Sequence, residues 1–173
     1  MKIALTGAHC VGKTTLAEKL QASLRDYLFI PEPYVELEER GYSFSETPEA
    51  EDFSIQLEYA IERICIDEPD VLFDRSPLDL LAYLYVTGGA KASQNFYMKV
   101  REAMTEIDLL VFVPIENPDL INCPESESPE LRAQVNELLH EWISDFDLET
   151  VEVRGTLSGR EEQIIRKFLE LGE

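Results

Sequence analysis

The chain has 173 residues, with 35 acidic against 15 basic side chains and a net charge of −20. Such a surface repels polynucleotide phosphates, which need clustered Lys and Arg, and no apolar run approaches the roughly 20 residues of a membrane span. Polynucleotide and membrane partners are therefore set aside. If the ligand is an anion, the few cations must be concentrated at its site.

At 45% hydrophobic and 29% charged, the composition is that of a globular chain. Its length suits a single α/β domain over 1–173, enough to bury roughly 70% of the surface exposed when unfolded. The opening MKIALTGAHC meets a glycine at position 7 and lacks the apolar core of a signal peptide. Cys10, Cys65 and Cys123 form no CxxC pair, so a reducing, cytoplasmic location is expected.

Lys2 to Thr6 reads as a first strand, followed by glycines and a helix from Thr14 to Leu24 with Leu16, Ala17, Leu20 and Leu24 at helical spacing. Tyr27 to Ile30 is a second strand, closed by Pro31-Glu32-Pro33. Residues 35–48 are polar and read as irregular. Thr47 as cap and Pro48 at the first helical position predict a helix to about Asp67, with Phe53, Leu57, Ala60, Ile61 and Ile64 on its apolar face. Val71 to Phe73 is a third strand.

Ser76-Pro77-Leu78-Asp79 combines a capping box with a first-turn proline and starts a helix to about Val86. Gly88-Gly89 should break it, and a further helix runs from Ser93 to Thr105. Leu109 to Val113 is a fourth strand. Residues 114–129 carry four prolines and read as a surface excursion. Pro129 opens another helix, with Leu131, Val135, Leu138, Leu139, Trp142, Ile143 and Phe146 on one face. Thr150 to Val153 is a fifth strand. The last helix takes Ser158 and Glu161 as its capping box and Gly172 as its terminator. Alternating strands and helices imply a parallel sheet covered on both faces.

The chemistry begins at Gly7-Ala8-His9-Cys10-Val11-Gly12-Lys13-Thr14, which matches G-x-x-x-x-G-K-[ST] between a strand and a helix. Successive N–H groups of such a loop form an anion nest, aided by the helix N-terminus. Lys13 would reach the β- and γ-phosphates of a nucleotide and Thr14 would hold Mg²⁺, with Thr15 in the same helical turn. His9 and Cys10 occupy variable positions where the backbone binds; two adjacent residues cannot supply a closed tetrahedral metal site.

Asp74-Arg75-Ser76 ends the third strand, and ligands of an open parallel sheet sit beyond the carboxyl ends of its strands. Asp74 is suited to Mg²⁺ and Arg75 to charge on a moving phosphoryl group; a capping acid beside a surface arginine is the alternative. Glu32 ends the second strand on the same rim and could accept a hydroxyl proton, although an ordinary surface glutamate would look the same.

On these motifs the chain resembles P-loop kinases of the nucleoside and nucleotide kinase group, over nearly its whole length, and more broadly the small AAA-like P-loop ATPases. It is most similar to deoxynucleoside kinases and to the nucleoside kinase domain of bacterial NAD-biosynthesis regulators. The resemblance implies a three-layer P-loop NTPase fold with a five-stranded parallel sheet, order 2-3-1-4-5. It also implies a lid around 114–133, and transfer of the γ-phosphoryl group of Mg-ATP to a small nucleoside-like or nucleotide acceptor.

By that resemblance Glu32 is the base and Arg75 contacts the acceptor. Gln56 and Arg63, seven residues apart with Tyr59 between them, share a helix face and read the nucleobase. A polar stripe with Arg63 paired to Glu62 or Asp67 is the other reading of that face. Kinase lids usually supply arginines, and 114–129 contains none; Arg132 is the nearest. Gly155-Thr156 resembles the loop bordering adenine.

The helices after the third strand offer a homodimer surface. Two other classes compete. A GTP switch lacks its Asn-Lys-x-Asp signature, since Asn117-Pro118-Asp119 does not supply it. An ATP-binding regulatory protein with little turnover would suit the arginine-free lid.

Overall fold

A computed structural model describes residues 1–172. Five strands, β1 (Lys2–Thr6), β2 (Leu28–Ile30), β3 (Val71–Phe73), β4 (Leu109–Phe112) and β5 (Thr150–Glu152), form one sheet in the order β2-β3-β1-β4-β5. Every pairing is parallel. The three central strands are buried along their whole length, whereas β2 and β5 are partly exposed. That matches the continuous apolar runs of β1, β3 and β4, since a parallel sheet is covered on both faces.

The helices are α1 (Lys13–Ser23), α2 (Pro33–Glu39), α3 (Ala50–Ile64), α4 (Pro77–Met104), α5 (Pro129–Trp142) and α6 (Leu157–Leu171), with single 3₁₀ turns at Glu125–Glu127 and Ile143–Asp145. Leu16 and Leu20 of α1, Leu57 and Ile64 of α3, and Leu78, Leu80, Leu81 and Leu84 of α4 are almost wholly buried. Each such side chain contributes roughly 1.5–3 kcal/mol of burial. Phe53, Leu57, Ala60 and Ile64 form the buried apolar face of α3 as its spacing predicts.

Local details differ from expectation at four places. Residues 33–39, read as a strand stop and irregular chain, form α2: Pro33 stands at a helix start, where its missing N–H costs nothing. Helix α3 begins at Ala50, because Glu49 and Asp52 form a reciprocal capping box that Thr47-Pro48 does not provide. At α4 the Ser76 hydroxyl accepts from Leu78 N at 3.2 Å, while the Asp79 carboxylate turns towards Arg75. The break expected at Gly88-Gly89 is present: Gly89, at φ 78° and ψ 173°, is non-helical and kinks α4 into two helical segments; that backbone geometry is open to glycine and strained for other residues. At α6 the cap is Thr156, whose hydroxyl accepts from Gly159 N, not Ser158 with Glu161.

Candidate functional site

The loop from Gly7 to Gly12 leaves β1 at the carboxyl edge of the sheet and enters α1. Its first glycine is forced by close packing: at Gly7, φ 151°, a Cβ would lie 2.4 Å from the Val113 carbonyl oxygen. Lys13 is buried, and its Nζ donates to Ala8 O at 2.7 Å. Burial and the nearby Arg75 lower the Lys13 pKa from its ordinary value.

The ends of β2 and β3 bring Glu32, Asp74 and Arg75 to the same rim. Thr14 Oγ1 donates to Glu32 Oε1 at 3.2 Å, and Arg75 Nη2 lies 3.0 Å from Glu32 Oε2. Burial raises the Glu32 pKa, but Arg75 and Lys13 outweigh it and hold the carboxyl below its usual value. Asp74 has the opposite fate: burial, then repulsion from Glu32, pushes it up to about 7. Its buried Oδ1 has no hydrogen-bond partner among the described residues, and neither has Asp79 Oδ2. Burial pushes Asp79 up to about 6. Three carboxylates thus share two cations, and unpartnered oxygens on a carboxylate-and-hydroxyl rim are the donor set a hard divalent cation takes. Thr14 and Asp74 fit Mg²⁺ on this ground.

A cavity of about 420 Å³ opens beside this cluster. Glu32, Arg75 and Tyr83 line it together with Tyr34, Phe44, Asp52, Phe53 and Gln56. Two stacked aromatic pairs wall it, Tyr34–Phe44 with centroids 4.4 Å apart and Phe53–Tyr83 at 4.8 Å. Of the helix-face trio, Gln56 reaches the cavity and Tyr59 and Arg63 do not line it. Arg63 Nε lies 3.4 Å from Glu36 Oε2 on α2, so its carboxylate partner is neither Glu62 nor Asp67. Tyr59 lies beneath the Arg40 guanidinium, 4.9 Å from ring centroid to Cζ.

Arg132 is buried on α5, with Nε donating to His9 O at 3.0 Å and Nη2 to Cys10 O at 2.8 Å, and it is paired with Asp119. It grips the loop backbone where a lid arginine over the phosphates is expected. Gly155, at φ 91°, donates its N–H to Glu116 Oε1 at 2.8 Å, and Thr156 caps α6. Thr15 is exposed on the first turn of α1.

Sequence reasoning missed two participants. His9 is more than a variable loop residue: its N–H donates to Tyr83 Oη at 2.6 Å, its Nδ1 meets the same hydroxyl, and its Nε2 meets Glu127 O. Arg160 of α6 donates to Val11 O at 2.7 Å. Neither leaves a local signal, since both partners are remote in the chain.

The AAA domain family model matches residues 2–160. None of the curated proteins compared with the chain matches it. Among solved structures, a NadR protein in complex with NAD and AMP-PNP is 18% identical with a TM-score of 0.74, over 98% of this chain and 49% of that one. The chain therefore spans about half the length of that protein, as it spans 51% of the NadR protein in complex with NR. A deoxyadenosine kinase from M. mycoides is 16% identical with a TM-score of 0.69, over 98% and 100% of the two chains. A shikimate kinase from Aquifex aeolicus is 18% identical with a TM-score of 0.60, over 99% and 98%. At these identities the likeness is one of fold, the fold of P-loop kinases.

Proposed function

The chain belongs to the AAA domain family, and from that premise we propose that it is a phosphotransferase, moving the γ-phosphoryl group of Mg-ATP to a hydroxyl of a small nucleoside-like acceptor. The observation that carries this reading is Glu32. One carboxylate takes a hydrogen bond from Thr14 on the phosphate loop and also lines the aromatic cavity, so donor and acceptor would meet at it. In this reading the loop N–H groups and Lys13 bind the β- and γ-phosphates. Thr14 and Asp74 would hold Mg²⁺, which when bound neutralises charge on the phosphoryl oxygens. Glu32, kept ionised by Arg75 and Lys13, accepts the hydroxyl proton as the acceptor oxygen bonds to phosphorus and ADP leaves. Arg75 neutralises charge between the two substrates.

The cavity's charge supports a hydroxyl acceptor over a nucleotide. Glu32, Glu46, Asp52 and Glu127 line it, and among the described lining residues Arg75 is the one full cation. Arg75 is already shared by Glu32 and Asp79, so a phosphate-bearing acceptor would meet net repulsion. The stacked aromatics suit the faces of a ring, and Gln56 can both donate to and accept from a ring edge.

A nucleotide-binding protein with little turnover has one observation in its favour: Arg132, the first arginine after the fourth strand, is engaged with the loop backbone and Asp119. The test is a screen of nucleosides, nucleotides and vitamins for acceptor-dependent ADP release, followed by Glu32→Gln on whichever acceptor responds. The expected loss is about 10²- to 10⁴-fold in kcat with nucleotide binding retained. A loss under about tenfold would remove Glu32 as the base and favour a monophosphate acceptor.

A further inference from the structure

We propose that Arg160 is a positioning residue for the donor nucleotide, setting the direction of the loop's peptide groups from behind; this rests on the kinase reading above. Four successive loop carbonyls are taken by cationic side chains. Lys13 holds Ala8 O, Arg132 holds His9 O and Cys10 O, and Arg160 Nη1 holds Val11 O at 2.7 Å. The peptide unit is planar and trans, so a carbonyl drawn to one side turns the N–H of the next residue to the other. The groups turned this way include the N–H groups of Cys10, Val11 and Gly12, which belong to the nest an anion would occupy.

Lys13 must leave Ala8 O to reach a phosphate, whereas the arginines can stay. Each is anchored by a carboxylate from one short stretch of the β4–α5 connection. Asp119 pairs with Arg132, and Glu116 Oε1 accepts from Arg160 Nη2 at 2.7 Å. The same Glu116 oxygen accepts from Gly155 N at 2.8 Å. One carboxylate thus joins the phosphate loop, through Arg160, to the loop after β5. Ile121 of this connection also lies over Gly12, its Cδ1 3.0 Å from where a Cβ would stand.

Arg160 is buried to 6% exposure. Desolvating a guanidinium is costly, and a well-packed apolar side chain often serves stability as well or better. A purely structural role therefore explains this arginine poorly, in a chain with only 15 basic residues. Orientation of a nest explains it directly, because the donors of a preorganised site need not be reordered when the anion arrives.

The experiment is titration of MgADP into the wild type, Arg160→Met, Arg160→Lys and Glu116→Gln, with a thermal melt of each and, once an acceptor is known, steady-state kinetics. Arg160→Met is expected to weaken MgADP at least about tenfold, the scale of one charged hydrogen bond. Glu116→Gln keeps the arginine but replaces its charged anchor with a neutral amide oxygen, and should lose roughly threefold or more. Lysine can reach Val11 O without the second bond to Glu116, so Arg160→Lys should fall between Met and wild type. The KM for MgATP should rise in step, while the acceptor KM and kcat at saturation stay within about twofold, a split that loosened packing would not produce. Folded Arg160→Met and Glu116→Gln proteins with wild-type MgADP affinity would overturn the proposal; should Arg160→Met not fold, Glu116→Gln decides it. A wild type that binds no MgADP would overturn the kinase reading itself.

Discussion

At the scale of single residues, the two carboxylates of the rim divide the work through their surroundings. Glu32 is next to Arg75 and Thr14 and stays ionised, whereas Asp74 is pushed to about 7 by burial and by Glu32. The sign of the consequence follows from linkage. Between pH ~4 and ~7 the folded chain holds a proton on Asp74 that the unfolded chain has released, so this residue's contribution to stability falls as pH rises. Above pH 7 the ligand-free fold carries an ionised carboxylate whose buried Oδ1 has no hydrogen-bond partner among the described residues. Asp74→Asn should therefore raise ligand-free stability at pH 8 by about 1–3 kcal/mol, while Mg²⁺-dependent turnover collapses. MgADP binding to the wild type near pH 6.5 should release protons, and the variant should release fewer. Thermal melts and calorimetry in two buffers of different ionisation heat read both effects. A variant less stable than wild type, with unchanged proton release, would refute this account of Asp74.

At the scale of elements, the phosphate loop depends on how β1 and β4 meet. Thr6 pairs with Phe112, and Val113 N donates to Thr6 O at 2.9 Å, which brings the Val113 carbonyl against Gly7. Gly7→Ala would put a methyl 2.4 Å from that oxygen at φ 151°. Backbone must move, and overpacking of this kind costs about 1–3 kcal/mol. The expected result is a lower denaturant midpoint together with lost MgADP binding. Retained affinity in the destabilised variant would show that the loop tolerates displacement. Helix α3 shows a second element-scale effect. Its buried face carries the core, and the adjoining stripe of Asp52, Gln56 and Tyr59 is also buried. The stripe reaches the cavity only at its N-terminal end. Arg63, two turns further on, meets Glu36 of α2.

For the whole molecule, a charge of −20 with a pI near 4.3 leaves the compact state repelling itself. Four of its 15 bases, Lys13, Arg75, Arg132 and Arg160, gather around one loop, so the remaining surface is more acidic still. Screening should therefore stabilise the fold. Raising NaCl from about 20 to about 300 mM is expected to lift the thermal midpoint by roughly 3 °C or more. A flat or falling midpoint would mean that the acids are already offset by local pairs such as Lys19–Glu161 and Lys167–Glu149. Among the described residues no helix is long and apolar enough to cross a membrane.

Some of this was decided by sequence alone, and for a common reason: the interactions are local or follow from a repeating topology. Gly7 to Thr14 is one contiguous turn whose N–H groups and helix N-terminus need no distant partner. Alternating strands and helices force a parallel sheet, and a parallel sheet brings Glu32, Asp74 and Arg75 to one edge because each follows a strand's carboxyl end. Helix α2 escaped notice because Pro33 serves a strand stop and a helix start equally well. The rest was decided by tertiary packing. Arg132 and Arg160 lie 122 and 149 residues from the carbonyls of Cys10 and Val11 that they hold. Arg63 finds Glu36 on a neighbouring helix, and His9 finds Tyr83 and Glu127. On helices crowded with charge, spacing tells which residues share a face but not what that face meets. Which arginine grips the loop and which merely faces water depends on where α5 and α6 come to rest against the sheet.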